Sequence, residues 1–356
     1  MKTSNEVDYI IVGQGLAGTL LAHFLHKKKR RLLLVDPGVP GTASKVAAGI
    51  INPVTGRRYV KSWRIDDLIP FARQTYRELE ALLGIPLYRD RHVLRTLYTP
   101  TEQNHWNSRL GDPGYESYIV PEADPKGWLS LLHPVYAFGE LSQGAQINLE
   151  KLLGGFRKWI ASQHQIVEDS FHFEELDRTS GRLVYRQWSA KAIIFCEGYH
   201  SKHNPYFGNL PYEGAKGEVL LLTIDGPQPE KMLRHHFFLV PMEDGTYWAG
   251  SNYIWRYENE LPTPEGRTWL IAQLEKMLKV PYEIRDHKAA VRPTVKDRRP
   301  LLGVHPEFPN IFIFNGLGTK GASQGPYFAN HMADFLTENT PLDPEVDIRR
   351  FHAKSR

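Results

Sequence analysis

The chain has 356 residues, 41% hydrophobic and 24% charged, with a formal net charge of +4 and one cysteine. Its length exceeds what one core ordinarily serves, so two domains are expected. One cysteine excludes an internal disulfide framework and points to a reducing cytoplasm, and no apolar run nears the ~18 residues of a membrane-spanning helix.

Tyr9 to Val12 form a short apolar run that reads as a buried strand. Gly13-Gln14-Gly15-Leu16-Ala17-Gly18 then gives G-x-G-x-x-G in the order strand, turn, helix. The first glycine permits the tight turn. The second lets backbone approach a pyrophosphate, and the third lets helix and strand pack closely. A helix from Leu16 to about Lys28 would point its positive end at the phosphates. Because the first apolar run is this nucleotide strand, no signal peptide is expected. Lys27 to Arg31 is a cationic run that suits a helix C-terminus better than a nucleic-acid patch. A second apolar run, Leu32 to Val35, ends at Asp36, 18 residues past Gly18. A carboxylate for a ribose hydroxyl is expected at roughly 20.

Small residues dominate Gly41 to Pro53, which includes Ser44, Ala48, Gly49 and Ile50 and would pass close to a flat ligand. Asp66 to Leu83 is an amphipathic helix, and Pro86 to Gln143 is turn-rich with short strand-like runs. Leu149 to His164 returns to helical period, with a short strand at Gln165 to Glu168. Lys191 to Gly198 reads as a core strand ending in glycine, with Cys196 inside it. Strands follow at Glu218–Ile224, Phe237–Pro241 and Thr246–Ser251, then a helix from Arg267 to Leu278. The strand Ile311 to Phe314 runs into a second glycine turn, Asn315 to Gly321, and a helix from about Pro326 to Leu336. Two α/β units thus flank β-rich insertions. Such sheets place ligands at the strand C-termini.

These segments together resemble the D-amino-acid-oxidase-like FAD oxidoreductases, the group that includes glycine oxidase and sarcosine oxidase. The resemblance rests on G-Q-G-L-A-G with Asp36, A-S-K-V-A-A-G-I, F-C-E-G, V-R-P-T-V-K-D-R-R-P-L-L-G and F-N-G-L-G-T-K-G. It implies an α/β chain (α+β overall): a Rossmann-like FAD-binding domain interleaved with a mainly antiparallel substrate sheet. The expected FAD domain takes residues 1–85, 144–214 and 286–356, and the substrate domain 86–143 and 215–285. The glycine motif, Gly13 to Gly18, would hold the pyrophosphate and Asp36 the ribose. Ser44, Ala48, Gly49 and Ile50 would lie near the flavin, Val167 near the adenine and Gly198 beside the cofactor. Gly318, Thr319, Lys320 and Gly321 would lie at the pyrimidine end. There, helix N–H groups and a lysine suit the negative charge of a reduced flavin. NAD, the plain reading of the first motif alone, is disfavoured by this second turn.

Arg292 is the expected carboxylate fork, the alternative being a structural arginine that pairs with Asp297 or caps carbonyls. Relatives set a tyrosine beside this arginine. Here Phe238 is expected in its place, with Tyr253 and Trp255 as nearby aromatics. No cysteine lies near Arg292 or the C-terminal turn, so FAD is expected to be non-covalent, and no metal site is read. The implied activity is oxidation of a small-molecule amine, with O2 or another acceptor taking the electrons; a homo-oligomer is left open. Rival readings are a tRNA wobble-uridine side-chain oxidase, whose flavin domain carries a similar glycine turn, and a flavin carrier without oxidase activity. Nucleic acid is not the favoured partner.

Overall fold

The computed structural model describes residues 5–179 and 181–354. Among these, two large sheets organise the chain. The first is built on Asn5–Val12, whose last six residues are all buried. Leu32–Val35 and Gln165–Val167 extend it on one side, and Trp188–Phe195 pairs on the other, all parallel. Beyond the C-terminal half of Trp188–Phe195 lies Ile311–Asn315, also parallel, and then Leu301–Val304. Strands covered on both faces need apolar residues at every position, which is why they read as continuous runs rather than alternating ones.

Two helices cover one face of this sheet, and both start where a parallel strand ends. Leu16–Lys27 follows the first strand, and Gly321–Glu338 follows Ile311–Asn315. They pack closely: a Cβ on Gly321 would lie 3.2 Å from Leu16 Cδ2, and one on Gly325 2.8 Å from Leu20 Cδ1. The last helix starts five residues before the expected Pro326. Proline deprives the Ala322 carbonyl of its helical donor, and the Tyr76 hydroxyl supplies one instead at 2.9 Å. Tyr76 belongs to Ile65–Leu83, the long amphipathic helix expected from the sequence.

The second sheet runs, in spatial order, Tyr282–Arg292, Ala215–Ile224, Tyr247–Gly250, Phe238–Pro241, Met232–Arg234, Val93–Leu97, Ala137–Leu141 and Ile119–Val120. All its pairings are antiparallel except Met232–Arg234 with Val93–Leu97. One face, with Leu220, Leu222, Leu233, Leu239, Tyr247 and Ala249, is covered by the helix Pro264–Met277. The opposite face contributes Val93, Val219, Met232, Val240, Trp248 and Ala290 to the same core as the first helix. That face looks toward the nucleotide sheet.

Three details depart from the sequence reading. Pro264–Met277 starts three residues early because Thr263 caps it, accepting Gly266 N–H at 3.1 Å. An unforeseen helix, Pro100–Leu110, is capped likewise by Thr99, and Glu102 Oε2 accepts the Tyr98 N–H in return. Both are Thr-Pro starts with proline at the first helical position. The expected boundary at 285/286 falls inside a strand, since Tyr282–Arg292 pairs with Ala215–Ile224 along its length.

Candidate active site

The N-terminal glycine motif forms a backbone cradle. Gly13 has φ +94°, and a Cβ there would stand 2.6 Å from the Cys196 carbonyl oxygen. A Cβ on Gly18 would stand 1.9 Å from the Gly13 carbonyl oxygen, so only glycine fits. Gly15 faces Ser44, whose hydroxyl accepts the Leu16 N–H at 3.0 Å. Ser44 lies on the short helix Ala43–Val46, so the small-residue loop is tied directly to the start of the first helix.

Neither Leu16–Lys27 nor Gly321–Glu338 has an acidic residue in its first turn or a side-chain cap from its N-cap residue. Apart from the Leu16 N–H, which Ser44 takes, neither first turn is compensated by an acid or an N-cap side chain, which suits an anionic ligand at the strand ends. This fits a pyrophosphate at the first helix.

Asp36 closes the second strand. Its carboxylate accepts Gln14 N–H at 2.7 Å and Gly38 N–H at 2.8 Å. Its own N–H donates to the Val167 carbonyl at 3.0 Å. Sequence reasoning missed Arg157, which locks the corner. One guanidinium nitrogen donates to Gln14 Oε1 at 2.9 Å and Asp36 Oδ1 at 3.1 Å, the other to the Asp36 carbonyl at 2.9 Å. Nothing local marks Arg157 out; it sits on the helix Leu149–Gln163, far from the motif in sequence.

Gly49 and Ile50 lie where the small-residue loop meets Ala145–Ile147; a Cβ on Gly49 would stand 1.9 Å from the Ile147 carbonyl oxygen. Ala48 is buried beside them. The Gly198 turn is tied to the C-terminal turn through Asn315, which donates to the Gly198 carbonyl at 2.8 Å and to Ser201 Oγ at 2.6 Å. Behind these, Glu197 is half-buried with no cation against it among the described ion pairs. It accepts only from Asn204 Nδ2 at 2.7 Å and Ser201 Oγ at 3.3 Å. Burial pushes its carboxyl up to about 7.

Gly318, with φ +53°, Thr319 and Lys320 lead into the last helix at Gly321. No described carboxylate pairs with Lys320. Burial, and then the nearby Arg299 and Arg298, lower its pKa. An unpaired, partly desolvated ammonium at a helix N-terminus favours a negative neighbour.

On the second sheet, Arg292 is not paired to Asp297, whose carboxylate takes Arg350 instead at 2.8 Å. Arg292 lies over Gly217, donates to the Ala215 carbonyl at 3.2 Å, and is held by the Ser251 hydroxyl. Burial lowers its pKa. The Tyr253 ring stacks with its guanidinium, 4.7 Å from centroid to carbon. Tyr253 therefore joins Arg292, whereas Phe238 stands against Arg234, 5.4 Å from the ring centroid. Phe238 and Arg292 share the inward face but not a contact of this kind. Trp248, on the same face, donates from Nε1 to the Val46 carbonyl at 2.8 Å, binding the sheet to the small-residue loop. Arg292 and Tyr253 thus stand on the face that looks at the loop, with no described acid paired to the guanidinium.

Comparison with known proteins identifies the family and the fold. Residues 8–335 match the family model described as FAD dependent oxidoreductase. The chain is 24% identical to glycine oxidase of Bacillus licheniformis, over 98% of this chain and 97% of that one. It is 25% identical to the tRNA 5-methylaminomethyl-2-thiouridine biosynthesis bifunctional protein of Marinobacter nauticus, over 96% of this chain but 58% of that protein. The crystal structure of glycine oxidase from Bacillus cereus superposes with a TM-score of 0.78 at 19% identity, covering 94% of this chain and 96% of that one.

Proposed function

The chain belongs to the FAD dependent oxidoreductase family, and from that premise we propose that it oxidises a primary or secondary amine carrying a carboxylate. Bound FAD, held without a covalent link, supplies the hydride acceptor. The chain's residues bind, orient and exclude water. Gly13 to Gly18 hold the pyrophosphate and Asp36, fixed by Arg157, takes the ribose. Ser44, Ala48, Gly49, Ile50 and the turn from Gly318 to Gly321 flank the flavin, Gly198 lies beside it, and Val167 borders the adenine. Lys320 offsets negative charge at that end. Arg292 receives the substrate carboxylate while Tyr253 limits how its guanidinium turns. The substrate amine enters neutral, and its imine product hydrolyses to a carbonyl compound and the released amine. Oxygen or another acceptor then takes the electrons.

The observation that carries this reading is Arg292: desolvated, braced by Ser251 and Tyr253, and without a described acid partner. A largely desolvated fork donor with no acid partner among the described ion pairs suits an incoming carboxylate. The single cysteine supports a reducing, cytoplasmic location. The test is anaerobic. Adding glycine, D-amino acids, sarcosine and other secondary amines to the purified yellow protein should bleach its flavin band with one class. A flavin that none of them reduces would count against the reading.

Likeness to the tRNA-modifying protein favours a second reading, in which the amine sits on a wobble uridine. Stoichiometric, salt-sensitive tRNA binding would support it, and absence of such binding would remove it.

A further inference from the structure

The inward face of the second sheet carries a second arginine site that the proposed reaction does not use. Register partners on neighbouring strands share a face, and strands lie roughly 4.8 Å apart. Met232–Arg234 pairs with Val93–Leu97 so that Arg234 stands beside Arg95. Arg234 also pairs with Phe238, Phe238 with Gly250, and Gly250 with Val219. Two residues along their strands, Met232, Val93, Val240, Trp248 and Ala290 belong to the core shared with the nucleotide domain. Arg95 and Arg234 therefore lie on the same face as Arg292, not on the face covered by Pro264–Met277.

Two like charges at adjacent register positions repel unless something negative lies between them. Neither has an acid partner among the described ion pairs. Arg234 donates to the His235 carbonyl at 2.6 Å and packs on Phe238. Arg95 packs on Tyr59, 4.6 Å from the ring centroid, with a weak bond to the Gly56 carbonyl at 3.4 Å. The neighbouring carboxylate, Glu102, is engaged by the Tyr98 N–H. Burial, and then the charge of Arg95, lower the Arg234 pKa to about 10. Tyr253, stacked on Arg292, stands three residues past Gly250, whose register partner Phe238 packs on Arg234, so one short segment leads from the first arginine site to the second.

We propose that Arg234 and Arg95 form a second oxyanion subsite, so that the substrate carries two acidic groups, one on Arg292 and the other, a carboxylate or phosphate, on this pair. The inference rests on the amine-oxidase reading for the first group and adds a substrate class, amines with two anionic ends. Phe238 then lines the apolar span between the anions. A tyrosine is not needed there, because the position faces the substrate's chain and not its carboxylate.

The test is calorimetric titration of the FAD-bound protein with hexanoate, adipate and 5-phosphonopentanoate. Either dianion should bind about tenfold more tightly than hexanoate, and the tighter of the two names the second group. Arg234→Gln should bring that ratio close to one while leaving hexanoate affinity unchanged. Arg95→Gln, on the neighbouring strand, should reduce it as well and guards against a folding defect in the first variant. A ratio near one in the unsubstituted protein, or a ratio that survives both substitutions, would overturn the proposal. If monocarboxylate amines bleach the flavin while the dianions show no preference, this inference falls and the amine-oxidase reading stands. If dianions are preferred but no amine bleaches the flavin, the subsite stands and the reaction falls.

Discussion

The cofactor cradle and the substrate face are built on opposite principles. The cradle is made by one short stretch whose requirements are set by backbone: a Cβ on Gly18 has nowhere to go, whatever surrounds it. The substrate face is assembled from strands that begin as far apart as Val93 and Tyr282, and each residue there acts through register. A steric requirement of the chain on itself tolerates no substitution, while a face built from separate strands can change one side chain at a time. On the proposed reading, one region fixes the cofactor and the other is free to set the substrate.

That contrast orders the expected effects. The largest belongs to the cradle. Gly18→Ala forces a methyl group onto the Gly13 carbonyl, and the purified protein should lose its bound flavin by well over tenfold, read from its visible spectrum. Full flavin content would break the comparison at its stronger end. Next comes Arg292→Ala on the substrate face. It should lower kcat/KM for a carboxylated amine by about 100-fold, the scale of a charge-assisted pair, while flavin content stays intact. Arg157→Ala sits between the regions in kind: it leaves the glycines alone but frees Asp36 and Gln14. Weaker FAD retention, by about tenfold in Kd, is expected from losing bonds to a charged group.

A smaller effect concerns pH. Glu197 has its carboxyl raised from the ordinary 4.5 to about 7 by burial, so the folded protein prefers it protonated. Its contribution is present in full below pH 4.5 and is lost as pH rises through 7, amounting to at most about 3 kcal/mol. Urea midpoints for the wild type and Glu197→Gln should therefore diverge as pH rises from 5 to 8, with the wild type falling relative to the variant. Parallel curves would show that the carboxyl titrates normally.

The same contrast explains what the sequence made legible. The nucleotide strand, its glycines, Asp36 and the C-terminal glycine turn are visible because local motifs encode them. Helix starts were less visible: the Thr-Pro caps at Thr99 and Thr263 are local signals that the sequence reading passed over, and Gly321 has no such signal, since the helix tolerates Pro326 only through a hydroxyl from Tyr76. On the substrate face, Arg292 was legible through its motif and Tyr253 as one candidate aromatic beside it, but the choice between Phe238, Tyr253 and Trp255 was not. Tyr253 lies in the loop after Tyr247–Gly250, and only the folded path of that loop brings it to Arg292 in preference to Phe238. Arg157, Ser251 and the Arg95–Arg234 pair carry no local signal, because their partners are set by tertiary packing and strand register.

The most direct measurement compares an amino acid with its own amide. Once the panel has named an amino acid that bleaches the flavin, its anaerobic reduction rate should be set beside that of the corresponding amide, in the wild type and in Arg292→Ala. If Arg292 orients the substrate by its carboxylate, the acid reduces the wild-type flavin at least about tenfold faster than the amide, and the advantage disappears in Arg292→Ala. Equal rates for acid and amide in the wild type, or an advantage that persists without Arg292, would contradict the assignment.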